Sequence, residues 1–466
     1  MTPAVSGKIL GMAQRFQIVD RETAYLFPPS VQDWLPEKHL ARFVVDVVEG
    51  LALRDLTEAY AGRGTAAYPP QMLVSLLFYG YATGVFGSRK LERATYDSVA
   101  FRFIAANTHP DHDTISTFRQ RFSERLKPVF VEILTLAREM GLVKVGRVSV
   151  DGTKVLANAS KHSALSWEHA CRLEQQLERD VTDLLRLAEQ ADAETVPDGM
   201  DIPAELARRE TRLTAIAAAK ATLEARAAVR YAAEQQEFQR KQAAREEQAR
   251  TSGKKPGGRE PQPPTPGVRD KDQVNLTDEE SRIMPVAGGG FEQAYNAQIA
   301  VDVDSLLIVA EYVSQQCNDK NEITPMVVAL VQLPAAVGKV EDVLADNGYY
   351  SADNVQTCVG HGLTPYLAAG RDPHHPGLAE RFAADPPPPE DADPVTTMKY
   401  RLRTQSGKAV YGLRKSTVEP VFGIIKSVLG YRAFLRRGLK AVSEEWTLVG
   451  IAWNLKRMFT LSLAVS

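Results

Sequence analysis

Three acids in this sequence fall where a reaction centre could use them. Asp151 closes the stretch Arg147-Val148-Ser149-Val150-Asp151, in which valines alternate with polar residues. That alternation predicts a half-buried strand ending on an acid, with Gly152 turning the chain. Asp346 closes VEDVLAD, a second apolar strand with an acid at its tip, followed by the turn pair Asn347-Gly348. Glu419 belongs to a helix whose apolar face is Val418, Phe422, Ile425 and Leu429, at three- and four-residue spacing. Three carboxylates brought to one point repel unless something positive sits between them. Oxygen-only ligands favour Mg²⁺ or Mn²⁺ over zinc. Two such ions, about 3.5–4 Å apart, stabilise the attacking and leaving oxygens of a phosphodiester displacement. Each acid also has a plainer reading: surface aspartates end many strands, and Ser416-x-x-Glu419 has the spacing of a helix-capping box.

The surroundings of Glu419 are basic. Between Lys399 and Arg457 there are thirteen Lys or Arg and three acids, Glu419, Glu444 and Glu445. Lys415 and Lys426 lie off the apolar face, and Arg432, Arg436, Arg437 and Lys440 continue the charge along the chain. A lone acid in such a setting suits a metal-binding carboxylate beside a polyanion; the plain alternative for each cation is a solvated helix face. Lys154, three residues past Asp151, is a weaker candidate of the same kind. His109-x-x-His112 has no Cys or third His nearby, so hydrogen bonding is favoured over zinc. Cys171, Cys317 and Cys358 are far apart and read as reduced thiols of a cytoplasmic protein.

The elements that must position these residues follow from the pattern along 466 residues. After an N-terminal tail (1–32) with a stop at Pro28, residues 33–142 read as an all-helical domain. Its helices open at Pro36, at Pro70, at Ser88 (through Asn107) and at Asp113 or Thr114, the last stopping at Gly141. Basic and aromatic residues alternate in it, as in helix pairs that dock on DNA, though many such pairs are only bundles. Sheet character occupies 143–160 and 286–460. Between them, 161–250 carries Leu173, Leu177, Leu184 and Leu187, then Leu206, Leu213, Lys220 and Leu223, in heptad rhythm around Pro197-Asp198-Gly199. That predicts two long helices folded back on each other. Residues 251–285 read as a flexible linker, rich in Gly, Pro and charge.

Later come two strands joined at Asp304-Ser305, a helix over 324–333, the strand with Asp346, a helix capped by Ser351, and a strand over 364–368. A loop with His374-His375 and Pro386 to Pro389 leads to the helix with Glu419. Without the insertion this is the ribonuclease H-like order. The predicted fold class is therefore α/β, a mixed five-stranded sheet interrupted by a helical hairpin after its first strand and preceded by an all-α domain. In that order the first and fourth strands are neighbours, so Asp151 and Asp346 end side by side and the final helix brings Glu419 to them.

Bulk composition narrows little further. A net charge of −2 says nothing about nucleic acid, so the local clusters carry that argument. The first residues, MTPAVSGKIL, contain no signal-peptide core, and the charge-free stretch from Gly64 to Ser88 has an apolar part shorter than the roughly 20 residues of a membrane span.

The segments VSVDGTKVLANASKH, GFEQAYNAQIAVD, ADNGYYS and VEPVFGIIK, with RRGL and NLK beyond them, resemble those of DDE transposases of bacterial insertion sequences, in the broad IS-four/IS-five-like group. YPPQMLVSLLFYGYATGVFGSRKLER and FRFIAANTHPDHDTISTFRQRF are similar to the helical N-terminal domain of the same proteins. The resemblance implies cut-and-paste DNA transposition, with Asp151, Asp346 and Glu419 as the catalytic acids holding two Mg²⁺ or Mn²⁺ ions. It implies double-stranded DNA as partner, both terminal inverted repeats and target, and a homodimer or larger assembly that synapses two ends. Some relatives carry a tyrosine, arginine, glutamate, lysine signature, which Tyr411, Arg414, Glu419 and Lys426 approximate. Arg414 is one residue too far from Glu419, and Lys415 stands at the expected position. The helical insertion also follows the first acid here, whereas several relatives insert between the second and third. A DNA-binding derivative without catalysis is the alternative function, and a stand-alone nuclease of the same fold a third.

Overall fold

The computed structural model describes residues 30–58, 67–191, 201–254, 257–370, 384–390 and 392–465. The expected stop at Pro28, the turn at Pro197-Asp198-Gly199 and the His374-His375 pair lie outside the described residues. Ahead of the first strand come α1 (Leu40–Gly50), α2 (Arg54–Glu58), α3 (Pro70–Thr83), α4 (Ser88–Asp97), α5 (Val99–Ile104), α6 (His112–Phe122) and α7 (Leu126–Glu139). Helix α3 opens on Pro70 and closes on Gly84, whose φ of 85° and whose approach to the Leu429 carbonyl would put a Cβ 2.8 Å from that oxygen. The single helix expected from Ser88 to Asn107 is broken by extended backbone at Ser98. The fourth helix is capped by Asp111, ahead of the expected residues, its carboxylate accepting the Thr114 N–H at 2.7 Å. It passes through a 3₁₀ turn at Ser123–Arg125 before α7.

The main sheet is built on β1 (Arg147–Leu156) and β5 (Phe291–Asp302), antiparallel from Val148 opposite Asp302 to Leu156 opposite Ala294. On the other side of β1 lies β7 (Asp342–Ala345), parallel, and then β8 (Thr364–Leu367), parallel to β7. The outer edge of β5 is shared by β6 (Ile308–Ser314) at one end and β4 (Arg282–Pro285) at the other. The sheet thus has six strands where five were expected, because β4 lies inside the presumed linker. A second correction concerns β1, which does not turn at Gly152 but runs on four residues to Leu156. Helices α10 (Ile323–Val331) and α11 (Ala352–Gly360), the latter capped by Ser351, bracket β7 in the chain.

Between β1 and β5 the chain leaves the sheet. Strand β2 (Ala164–Ser166) leads into α8 (Trp167–Ala191), which packs against α9 (Ile202–Ser252) through Leu177, Ile216, Ala219 and Leu223. At 51 residues α9 is roughly 75 Å long, and it carries no Gly or Pro after its first turn. The stretch expected as a flexible linker then runs back along α9. Arg230 donates to the Gly267 carbonyl at 2.9 Å, Arg269 pairs with Glu234 at 2.9 Å, and β3 (Gln273–Asn275) pairs with β2.

The chain ends in α12 (Pro394–Arg403), α13 (Gln405–Gly412), α14 (Val418–Gly423) and the 27-residue α15 (Leu439–Val465). Helix α12 starts inside what was expected to be loop. Helix α15 packs on α3, α7 and β6, so Trp446, Ile451 and Leu455 join Leu77, Ile133 and Val150 in one apolar core. The N-terminal helices, expected as a separate unit over 33–142, share that core with the sheet. Among the described residues, no helix is long and apolar enough to cross a membrane.

Candidate active site

Strand register places the first two acids. Ser149 of β1 lies beside Leu344 of β7; Asp151 is two residues further along β1, and Asp346 follows Ala345, the last residue of β7. Side chains two apart in a strand share a face, so Asp151 emerges on the side of Ser149, close enough to the end of β7 for the Asp346 charge to act on it. Asp346 Oδ1 accepts the Gly348 N–H at 2.8 Å and caps a 3₁₀ turn at Asn347–Tyr349. Asp151 Oδ1 accepts the Gly152 N–H at 2.8 Å. Burial, joined by the negative charges of Asp346 and Asp319, pushes the Asp151 carboxyl up to about 6, against the opposing pull of the Gly152 N–H and Arg414.

The third acid arrives through an arginine. Arg414 Nη1 is 3.8 Å from Asp151 Oδ2, and its Nη2 is 3.6 Å from Glu419 Oε1. The Arg414 side chain is only 12% exposed, while that of Glu419 is 56% exposed. The spacing mismatch noted in the sequence disappears because the link is not α-helical. Leu413–Ser416 is a 3₁₀ turn, and Thr417, at φ −107° and ψ −72°, redirects the chain before α14. The capping box does not form: Ser416 Oγ donates to the Leu413 carbonyl at 3.0 Å, and α14 has no side-chain cap. Lys415 points elsewhere, exposed, and with Lys399, Arg403, Lys408 and Tyr411 lines a cavity of about 560 Å³ beyond the C-terminal end of β8.

The other candidate cations divide into two groups. Lys426 turns inward, its Nζ donating at 3.0 Å to both Thr153 Oγ1 and the Lys154 carbonyl, and burial lowers its pKa. Lys154 Nζ is 3.4 Å from Asp319 Oδ1. Arg436 pairs with Glu444 at 2.6 Å. The exposed group is Lys415, Arg432, Arg437 and Lys440. Within it, Arg437 donates to the Asn158 carbonyl at 2.9 Å, Arg432 to the Lys426 carbonyl at 3.1 Å, and Lys440 lies 3.6 Å from Glu124. His109 and His112 hydrogen-bond to Thr95 and Glu92 at 3.1 and 2.8 Å.

Sequence reasoning missed a polar layer on the opposite face of the sheet. Asp319 Oδ1 accepts from Asn296 Nδ2 at 2.7 Å and Gln298 Nε2 at 2.9 Å, and Tyr349 Oη donates to Gln298 Oε1 at 2.6 Å. The available signal was Asn296 and Gln298 themselves, two amides alternating with Tyr295, Ala297 and Ile299. Both are fully buried.

As the side chains stand, no three His, Cys, Asp or Glu among the described residues are grouped to hold a metal ion. Asp151 has the Asp346 carboxyl near it, and the Arg414 guanidinium reaches from Asp151 to Glu419.

Residues 29–121 match the family model described as Transposase domain (DUF772), and residues 389–459 match that described as Transposase DDE domain. The first span covers α1 to α6, and the second holds Arg414 and Glu419; Asp151 and Asp346 lie outside both. No curated protein and no solved structure matches the chain.

Proposed function

We propose, for a chain that belongs to the DDE transposases, that it excises an insertion sequence at its terminal inverted repeats and joins the freed ends to target DNA. The observation that carries this reading is the Arg414 bridge between Asp151 and Glu419, beside an Asp346 that follows the last residue of β7 and whose charge acts on Asp151. The strand order β6-β5-β1-β7-β8, antiparallel for the first three and parallel thereafter, supports a ribonuclease H-like catalytic core over 143–160 and 286–460.

Asp151, Asp346 and Glu419 would hold two Mg²⁺ or Mn²⁺ ions, the donor set being all oxygen. Such ions supply activation of the attacking water or 3′-hydroxyl and neutralise charge at the phosphate. The chain's own residues do the rest. Asp151, held in a largely buried position, fixes the centre, and the exposed Glu419 closes it from α14. Arg414, released from the two carboxylates, reaches a backbone phosphate with its planar fork, which Lys415 cannot supply. Lys415, Arg432, Arg437 and Lys440 are exposed to contact flanking phosphates. Lys426, Lys154 and Arg436 act from inside the protein, shaping β1 and the chain that follows α14. The helices over 33–142 offer further duplex contact, and synapsis of two ends calls for a dimer or larger.

The test uses a duplex carrying the element's terminal repeat, incubated with protein and Mg²⁺. The wild type is expected to nick the repeat boundary and form joined product. Asp151→Asn, Asp346→Asn and Glu419→Gln should each bind the duplex and leave it uncut. Cleavage surviving any one change removes that residue from the centre. Binding without cleavage by the wild type would favour the non-catalytic derivative, and cutting without joining the nuclease.

A further inference from the structure

We propose that Gln298 and Tyr349 are positioning residues that set the separation of Asp151 and Asp346; this rests on reading those two acids as the metal-holding pair. Gln298 of β5 stands opposite Gly152 of β1, the residue after Asp151. Gly152 has no side chain, and the Gln298 amide occupies the space one would fill. A Cβ on Gly152 would collide with that amide, lying 2.8 Å from Gln298 Cδ and 2.9 Å from Asn296 Oδ1. The amide therefore passes over β1, toward the end of β7.

There it meets the turn that Asp346 begins. Tyr349 Oη donates to Gln298 Oε1 at 2.6 Å, and both residues are fully buried. The Tyr349 N–H donates to the Asp346 carbonyl at 3.2 Å, while the Asp346 carboxylate caps the same turn through Gly348. Fixing the tyrosine ring fixes the turn, and with it the aspartate.

The direction of the amide is set as well. The Asp319 carboxylate can only accept, and it takes the Gln298 Nε2 donor at 2.9 Å, so Oε1 must face Tyr349. Asn296 and Lys154 hold Asp319 from the same side. Asn354 Nδ2 closes the loop, donating to the Tyr349 carbonyl at 2.6 Å and to the Lys320 carbonyl at 2.7 Å. A glycine inside a strand weakens it. Its place next to Asp151 is explained by the side chain that crosses it, which ties the strand after one acid to the turn after the other.

The experiment titrates full-length protein with Mn²⁺ in the absence of DNA and follows the electron paramagnetic resonance signal of the free ion. Asp346→Asn reports on the site itself. Tyr349→Phe keeps the buried ring and removes the hydroxyl, and Gln298→Leu removes the same bond from the other side. Loss of a partner behind a metal ligand costs about ten- to hundred-fold in affinity. Both variants should therefore bind Mn²⁺ that much more weakly while still binding terminal-repeat duplex, and raised Mn²⁺ should restore their cleavage but not that of Asp346→Asn. Wild-type Mn²⁺ affinity in either variant, with Asp346→Asn deficient, overturns the positioning role and leaves the site intact, even if the melting temperature falls. Wild-type affinity in Asp346→Asn removes the site and this inference with it.

Discussion

Arg414 and Asp151 carry the electrostatic character of the centre. A carboxyl raised to about 6 by burial and by neighbouring acids is stabilised when neutral, and Arg414 relieves only part of the cost of its charge. The consequence for stability has a definite sign. With the folded value above the unfolded value near 3.9, the chain takes up a proton on folding between those two values. Stability from this group is present at low pH and is lost as pH rises from about 4 to about 6. Asp151→Asn should therefore raise the stability of metal-free protein at pH 7.5, by about 1–3 kcal/mol, while abolishing cleavage. Chemical denaturation of the two proteins at pH 4 and 7.5 checks it, the gain shrinking at the lower pH; a variant no more stable at pH 7.5 would contradict it. At this scale Asp151 and Asp346 stood out in the sequence as candidates, because an acid that closes an apolar strand is conspicuous. Gln298 and Tyr349 did not, since their contact exists only across three strands and through the vacancy at Gly152.

The elements explain which spacing rules held and which did not. Heptad leucines predicted the α8–α9 pair because two long helices in water need a continuous apolar seam, and Leu177 and Leu223 bury in it. Around Glu419 the same arithmetic failed. Residues 413–416 form a 3₁₀ turn, so a four-residue offset no longer places side chains one above the other. Arg414 rather than Lys415 reaches Glu419, and Ser416 caps nothing. Ser416→Ala should accordingly change unfolding free energy by less than about 0.5 kcal/mol, as for an ordinary exposed site. A working capping box would lose about 1 kcal/mol, and a loss of that size in denaturant unfolding would restore it. Strand β4 escaped notice for a related reason. Four residues, RIMP, carry too little periodicity to stand out from the Gly- and Pro-rich sequence before them, and only pairing with β5 makes them a strand.

Across the whole molecule, one core joins parts that composition separates. Helix α15 lies between the N-terminal helices and β6. Glu445 near its start accepts the backbone N–H groups of Leu435 and Arg436, at 3.1 and 3.0 Å, while Tyr81 Oη of α3 lies 3.4 Å away. Lys127 of α7 pairs with the buried Glu311 of β6, which also accepts from Thr447 of α15 at 2.8 Å. Domain boundaries drawn from composition could not register the Tyr81–Glu445, Lys127–Glu311 and Glu311–Thr447 contacts, whose partners are separated by more than a hundred residues. The same long-range packing sets Asp346 near Asp151 and links Glu419 to Asp151 through Arg414; that the three carboxylates close on shared metal ions is the central proposal. It is tested most directly by loading metal-free protein with Fe²⁺ and adding ascorbate and peroxide, so that radicals born at the ion cut the backbone beside it. The account predicts cuts clustered near residues 151, 346 and 419 together, all suppressed by excess Mg²⁺. Cutting near one of these stretches alone, or at a position remote from all three, would contradict it.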